Sequence, residues 1–261
     1  DNILRLTNNS FPQNDYHSSG NGRVASFFLS TWSGMSTEEK VPLNYSAVTW
    51  PDSLAYDTDV YMQDAVFSAY DVERTKALLE EYHSVAAMIY MDLNGTYYNA
   101  DTAAASYPRS GSVNHAVTIV GWDDNFPKEN FTIQPEGDGA FICKNSWGEE
   151  FGDDGYFYVS YYDTKICRKS VVYTRIGDKD NYDKIYQTDK LGWVGQLGFS
   201  KEDAYFSNVY EAGKNENLAA VSFYATDKDT EFEVYVVRHF DGVDSFKNRE
   251  LVTSGSMQYA G

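Results

Sequence analysis

Apolar and polar positions change their period along this chain, and the changes mark out the predicted elements. Over residues 23–34, "RVASFFLSTWSG" carries apolar side chains at helical spacing and stops on Gly34, so it predicts a helix closed by a glycine. "VPLNYSAVTWPDSLAYD" then has no period and is broken by Pro42 and Pro51; it reads as loop. Asp71 is placed to cap a second helix, "VERTKALLEEYH", whose Val72, Leu78, Leu79 and Tyr82 share one face. After that helix the period drops toward two. "SVAAMIYMD" (84–92), "HAVTIVGWDD" (115–124), "GAFICKNS" (139–146) and "GYFYVSYYD" (155–163) are short runs rich in β-branched and aromatic residues, bounded by Gly, Asn and Asp. They predict strands of one antiparallel sheet or open barrel. The polar loop 125–138 reads as an insertion between two of them.

Residues 175–183, "RIGDKDNYD", are charged and contain glycine, which suits a linker. Beyond them the pattern is strands alone: 218–226, then 231–240 with clear alternation, then "RELVTSGSMQYA". This predicts a β-sandwich module. The expected organisation is therefore α+β, with one domain over 1–177 and a second over 178–261. The opening "DNILRLTNNS" has no basic or apolar leader character and the closing "SGSMQYAG" stops within a strand-like run, so both ends read as cut from something longer.

Candidate chemistry is sparse. Of the four histidines, His17 lies in a polar loop, His83 at a helix end and His239 at the end of an alternating strand. His115 differs: "SVNHAVTIVGWDD" sets it at the entrance of an apolar strand, after a flexible Ser/Gly stretch, where an imidazole faces a cleft. Thirty residues on, "KNSWGEEFGDDGYFYV" puts Asn145 at a strand terminus with Trp147 two residues later. An Asn side-chain oxygen can accept from one imidazole nitrogen and fix its tautomer, and an indole can shield that bond from water.

"NHAVTIVGWDD" followed by "KNSWGEEFGDDGYFYVSYYD" resembles the His and Asn blocks of papain-like cysteine peptidases. The resemblance runs from the first residues to about 177. It implies a fold of two lobes, a helical one carrying the nucleophilic Cys and a β-rich one carrying the His and Asn. Carried over, His115 activates the thiol, Asn145 orients it and Trp147 covers the pair. Gly20 and Gly22, in "SSGNGR", occupy the place of the family's Gly-rich strand that binds an extended substrate, and Asn114 would line the cleft by its main chain. The loop between the two blocks is longer than in compact members. The tail, with "YDKIYQTDKLGWVGQLGF" and "LAAVSFYATDKDTEFEVYVV", resembles the lectin-like domain that follows the peptidase in clostridial-type bacterial cell-surface cysteine peptidases. That subgroup implies a secreted or cell-wall protein, a protein or peptide substrate, and cell-wall polysaccharide as a further partner.

The nucleophile is the missing element. The family signature places the His about 130–150 residues after the Cys, and no Cys occurs before His115. The Cys-bearing segment is thus expected upstream, as the N-terminal segment of the same precursor, and the chain alone is expected to be inactive. Cys143 shares a strand and a face with Asn145 and follows no helix start that would stabilise a thiolate, so it reads as a buried structural thiol, as does Cys167. The alternative is a non-catalytic surface or carbohydrate-binding protein on the same scaffold, which the intact His115, Asn145 and Trp147 set disfavours. A transglutaminase-type site would want Asp where Asn145 stands. The net charge of −18, with no basic stripe, excludes a nucleic-acid surface. No cofactor is expected. The Asp-rich turns at 177–183 and 227–229 lack the full ligand spacing of a calcium loop, so structural calcium is the weaker expectation for them.

Overall fold

The computed structural model describes residues 21–42, 57–68, 71–188, 195 and 197–261. Gly20, His17 and most of the loop expected over 41–57 lie outside them.

The first helix, α1 (Gly22–Phe28), is capped by Asn21, whose side-chain oxygen accepts from the N–H groups of Arg23 and Val24 at 3.1 Å. It is shorter than the 23–34 periodicity predicts. From Leu29 to Ser33 it widens into a π-helical turn in which Trp32 adopts a left-handed conformation (φ 62°). Left-handed backbone is costly for a bulky residue. Here the indole is stacked between Tyr61 and Tyr182, with centroids at 5.2 and 5.6 Å, and these contacts offset the strain. Gly34 does end the segment, with φ 61° and Thr58 packed where a Cβ would stand.

An eight-stranded sheet follows, in the order β1 (Val60–Ser68), β8 (Ser170–Asp178), β2 (Val85–Ile89), β5 (His115–Asp123), β6 (Ala140–Lys144), β7 (Tyr156–Ser160), β4 (Ala104–Ala105) and β3 (Tyr98–Asn99). All neighbours are antiparallel except β4 and β7, which run parallel. Four strands coincide with the four runs singled out by pattern. Two differences are instructive. β1 has no clean period because its pairing with β8 is interrupted twice, between Met62 and Asp64 and between Asp64 and Val66. The expected linker at 175–183 begins inside β8, where Arg175, Ile176 and Gly177 pair with Asp64, Met62 and Tyr61. Charged side chains sit there because they project from a strand near the sheet edge into solvent.

Helix α2 (Val72–Tyr82) packs on one face of this sheet. Asp71 caps it, accepting from the Arg74 N–H at 3.0 Å, and His83 closes it in a left-handed conformation with its N–H on the Leu79 carbonyl. Leu78 and Leu79 meet Val85, Ala87, Ile89, Val117, Ile119, Phe141, Cys143, Phe157 and Val159, the main core. The opposite face of β1 and β8 is covered by α1, through Phe28, Leu29, Met62, Phe67 and Val171. The loop 125–138 is more than a polar insertion: Phe126 and Phe131 turn inward onto Ala104, Ala140 and Tyr158.

In the C-terminal region β9 (Thr230–Val236) and β10 (Glu250–Met257) form a separate antiparallel hairpin, with one register shift between Leu251 and Thr253. The strand expected over 218–226 is absent as a regular element; its Ala225 instead exchanges backbone hydrogen bonds with Gly261 at 2.8 and 3.1 Å. No helix among the described residues is long and apolar enough to cross a membrane.

Candidate active site

β5 is held between β2 and β6, and its first residue, His115, lies opposite Ile89. Asn114, just before it, fixes the strand's entrance. Its N–H donates to the Ile89 carbonyl at 3.0 Å, its side-chain oxygen accepts from the Met91 N–H at 2.8 Å, and its amide nitrogen donates to the Met91 carbonyl at 2.9 Å. The side chain thus imitates one more step of the ladder. The family resemblance implies that Asn114 lines the cleft by its main chain; this side-chain role carried no signal in the sequence.

Asn145 follows β6 directly, and its N–H donates to the Gly155 carbonyl at 2.9 Å. The intervening chain turns back to β7 through Gly148, Gly152 and Gly155, all at positive φ. At Gly152 (φ 65°) the requirement is also steric, since a Cβ would stand 2.2 Å from the Tyr156 carbonyl oxygen.

These two strand ends bring the imidazole to the amide. His115 Nε2 lies 2.9 Å from Asn145 Oδ1, and the same oxygen accepts from the Ser146 N–H at 2.8 Å. A backbone N–H can only donate, so it fixes which end of the Asn145 amide is oxygen. That oxygen can only accept, so Nε2 carries the proton and, in the neutral ring, the lone pair is on Nδ1. Trp147 lies over the imidazole, with centroids 4.4 Å apart and planes at 30°, and its edge contact with Phe151 at 4.9 Å holds the indole there. Phe151 in turn stacks on Tyr98. These two rings form part of the wall of a shallow depression of about 420 Å³, also lined by Leu93, Asp101 and Thr132. Asn145 is buried, whereas Trp147 keeps 42% of its surface exposed.

Neither cysteine is near this chemistry in character. Cys143 is fully buried in β6 between Ile119 and Phe157, and burial pushes its thiol well above the ordinary range. Burial likewise raises Cys167, to about 12, despite a hydrogen bond with Thr75 that favours the thiolate. Both are free thiols. A nucleophile needs its thiolate stabilised, and these sites do the opposite.

Of the glycines, Gly22 is the first residue of α1 rather than part of an extended stretch, and it faces Val171. Asp163 is a residue that pattern reasoning did not single out. Its carboxylate is buried and accepts from the N–H groups of Tyr107 (2.7 Å), Lys165 (2.7 Å) and Ile166 (3.0 Å), tying the segment that leads to His115 to the turn carrying Cys167. Burial raises its pKa against the pull of those three donors. An Asp directly after an aromatic strand and before Thr-Lys carries the signal of such a turn. Among the described residues no group of three or more His, Cys, Asp or Glu side chains is placed to hold a metal ion. The Asp-rich stretch 177–183 forms the end of β8 and a 3-10 turn, Lys179–Asn181, capped by Asp178.

The ends of β5 and β6 thus bring together an imidazole, the buried asparagine that holds it in one tautomer, and an indole over the ring. Residues 14–174 match the family described as papain family cysteine protease, more than half of the chain, and the chain belongs to that family. Residues 185–261 match the family described as lectin-like domain, so a cysteine-peptidase domain is followed by a lectin-like one. Among solved structures, the cysteine protease and lectin-like domains of Cwp84, a surface layer associated protein of Clostridium difficile, superpose with a TM-score of 0.74 at 26% identity, over 95% of this chain and 56% of that one. A propeptide-cleaved form of clostridial Cwp84 gives a TM-score of 0.74 at 24% identity, over 93% of this chain and 62% of that one. Fruit bromelain of Ananas comosus is 28% identical over 130 residues, which is 49% of this chain and 33% of bromelain. The chain thus spans about a third of bromelain's length and between half and two thirds of the clostridial chains.

Proposed function

We propose that this chain supplies the base and orienting half of a cysteine endopeptidase, and that the thiol comes from a segment outside residues 1–261. One observation carries the proposal: the Nε2 proton of His115 is committed to Asn145, which leaves Nδ1 as the acceptor for a thiol proton, while both cysteines of the chain are buried and protonated. In the reaction, Nδ1 takes the proton of the incoming thiol, the thiolate attacks the scissile carbonyl and the imidazolium returns the proton to the leaving amine; water, giving its proton to the same nitrogen, then hydrolyses the thioester and frees the thiol. Asn145 keeps the ring oriented through both transfers, and Trp147 excludes water from the bond between them. Gly20 and the main chain of Asn114 are the proposed contacts for an extended substrate. The lectin-like region and the likeness to a surface layer associated protein support proteins of the cell surface as substrates, with cell-wall polysaccharide as the anchor.

Hydrolysis of an unfolded protein substrate tests the proposal. Residues 1–261 alone should show none. A longer polypeptide that includes the upstream thiol segment should hydrolyse it, and His115→Ala in that polypeptide should remove the activity. Thiol-dependent hydrolysis by residues 1–261 alone, or full activity of the His115→Ala variant, would refute it. If the longer polypeptide is inert but binds polysaccharide, the non-catalytic reading replaces this one.

A further inference from the structure

We propose that the segment Tyr259–Gly261 of the lectin-like region is a built-in strut of the peptidase core, so that the two regions fold as one unit. β1 is the outermost strand of the eight-stranded sheet, and an outermost strand presents unpaired backbone groups. The Phe67 N–H of β1 donates to the Ala260 carbonyl at 2.8 Å, in an antiparallel bridge. The next residue, Gly261, lies so close to β1 that a Cβ would stand 2.1 Å from the Ala65 carbonyl oxygen. It also exchanges two backbone hydrogen bonds with Ala225, which ties the same edge to the lectin-like region. This is strand addition, the mode by which separate peptides bind sheet edges, used here within one chain.

The side chain of Tyr259 carries the coupling further. It packs against the main core, the same cluster to which Leu78 and Leu79 of α2 belong. Its ring also lies under the Arg74 guanidinium of α2, 3.9 Å from the centroid. A second set of contacts joins the same two regions at α1: Tyr224 meets Phe27 edge-on at 5.6 Å and shares a 2.5 Å hydrogen bond with Ser30, and Gln187 donates to the Thr31 carbonyl at 3.2 Å. Loss of the strut would expose the β1 edge and uncover the core on the side of α2. The inference is independent of whether the site hydrolyses anything.

Thermal unfolding of residues 1–261, followed at once by the His115 imidazole NMR signals and by signals of the β9–β10 hairpin, tests it. One midpoint is expected for both probes. Tyr259→Ala and Gly261→Ala should lower it by about 5 °C or more at both probes, since each removes core packing or forces the edge apart. Tyr259→Phe, which keeps the ring, should restore it, and Val252→Ala on the exposed face of β10 should leave it unchanged. Separate midpoints in the unmodified chain would overturn the proposal without any variant. So would a Tyr259→Ala shift confined to the hairpin.

Discussion

Replacing Asn145 by alanine removes one oxygen that serves two donors, His115 Nε2 and the Ser146 N–H. A net intramolecular hydrogen bond is worth about 0.5–1.5 kcal/mol, and leaving a buried donor without an acceptor costs about 1–3 kcal/mol. Asn145 is buried, and the Trp147 indole restricts the approach of water to the imidazole bond. The loss in stability is therefore expected near ~2 kcal/mol. The loss in catalysis is a different quantity. If the oriented tautomer is worth one shielded hydrogen bond in the transition state, about 1.4–2.7 kcal/mol, kcat/KM in the thiol-bearing polypeptide should fall about tenfold to a hundredfold. The assay has two arms. Nitrogen-15 NMR of the neutral His115 ring should show the proton on Nε2 in the unmodified chain and a mixture of tautomers in Asn145→Ala. Asn145→Asp keeps an acceptor for both donors and should keep the Nε2 proton. An Nδ1-protonated ring in the unmodified chain, or identical tautomer populations in the unmodified chain and Asn145→Ala, would refute the reasoning.

Both thiols should resist modification by a small disulfide reagent at neutral pH while the chain is folded, and both should react on denaturation, as a timed absorbance assay would show. For Cys167 the folded pKa is raised from an ordinary 9.0 to about 12, so the unfolded state loses its proton first. The stability it contributes is full below pH about 9 and is lost as pH rises through the window up to about 12, which denaturant titrations at stepped pH should reveal. Gly152→Ala should cost about 2 kcal/mol or more, because the Cβ meets the Tyr156 carbonyl and φ is positive; a chaotrope midpoint equal to that of the parent would contradict this. Asp163→Asn should cost about 2–3 kcal/mol, because one amide oxygen cannot serve three N–H groups and the new amide N–H group opposes one of them; a thermal midpoint unchanged from the parent would contradict it.

The positions of His115, Asn145 and Trp147 were legible because each stands where a regular strand begins or ends, and strands β5 and β6 announce themselves by apolar runs. Their convergence was not a matter of period at all: it depends on β5 and β6 being neighbours, which pattern alone leaves open. β1 was hidden by its two bulges, which shift the alternation that identifies a strand. β8 was obscured by charge, because its outer end is solvated and reads like a linker. Helix α1 was overextended, since spacing cannot distinguish a continued α-helix from the π turn that lets Trp32 reach Tyr61 and Tyr182. The side-chain ladder of Asn114 and the Tyr107 donor on Asp163 also escaped, since each joins segments far apart in sequence.

On the proposed reading the base lies in this chain and the thiol in a segment upstream of it. A peptide epoxide that alkylates thiol-peptidase nucleophiles, applied to residues 1–261 and to a longer polypeptide that includes the upstream segment, tests it most directly, with the adduct located by peptide mass spectrometry. No adduct is expected on residues 1–261, and a single adduct is expected on an upstream cysteine in the longer polypeptide. An adduct on Cys143 in the folded chain would contradict it.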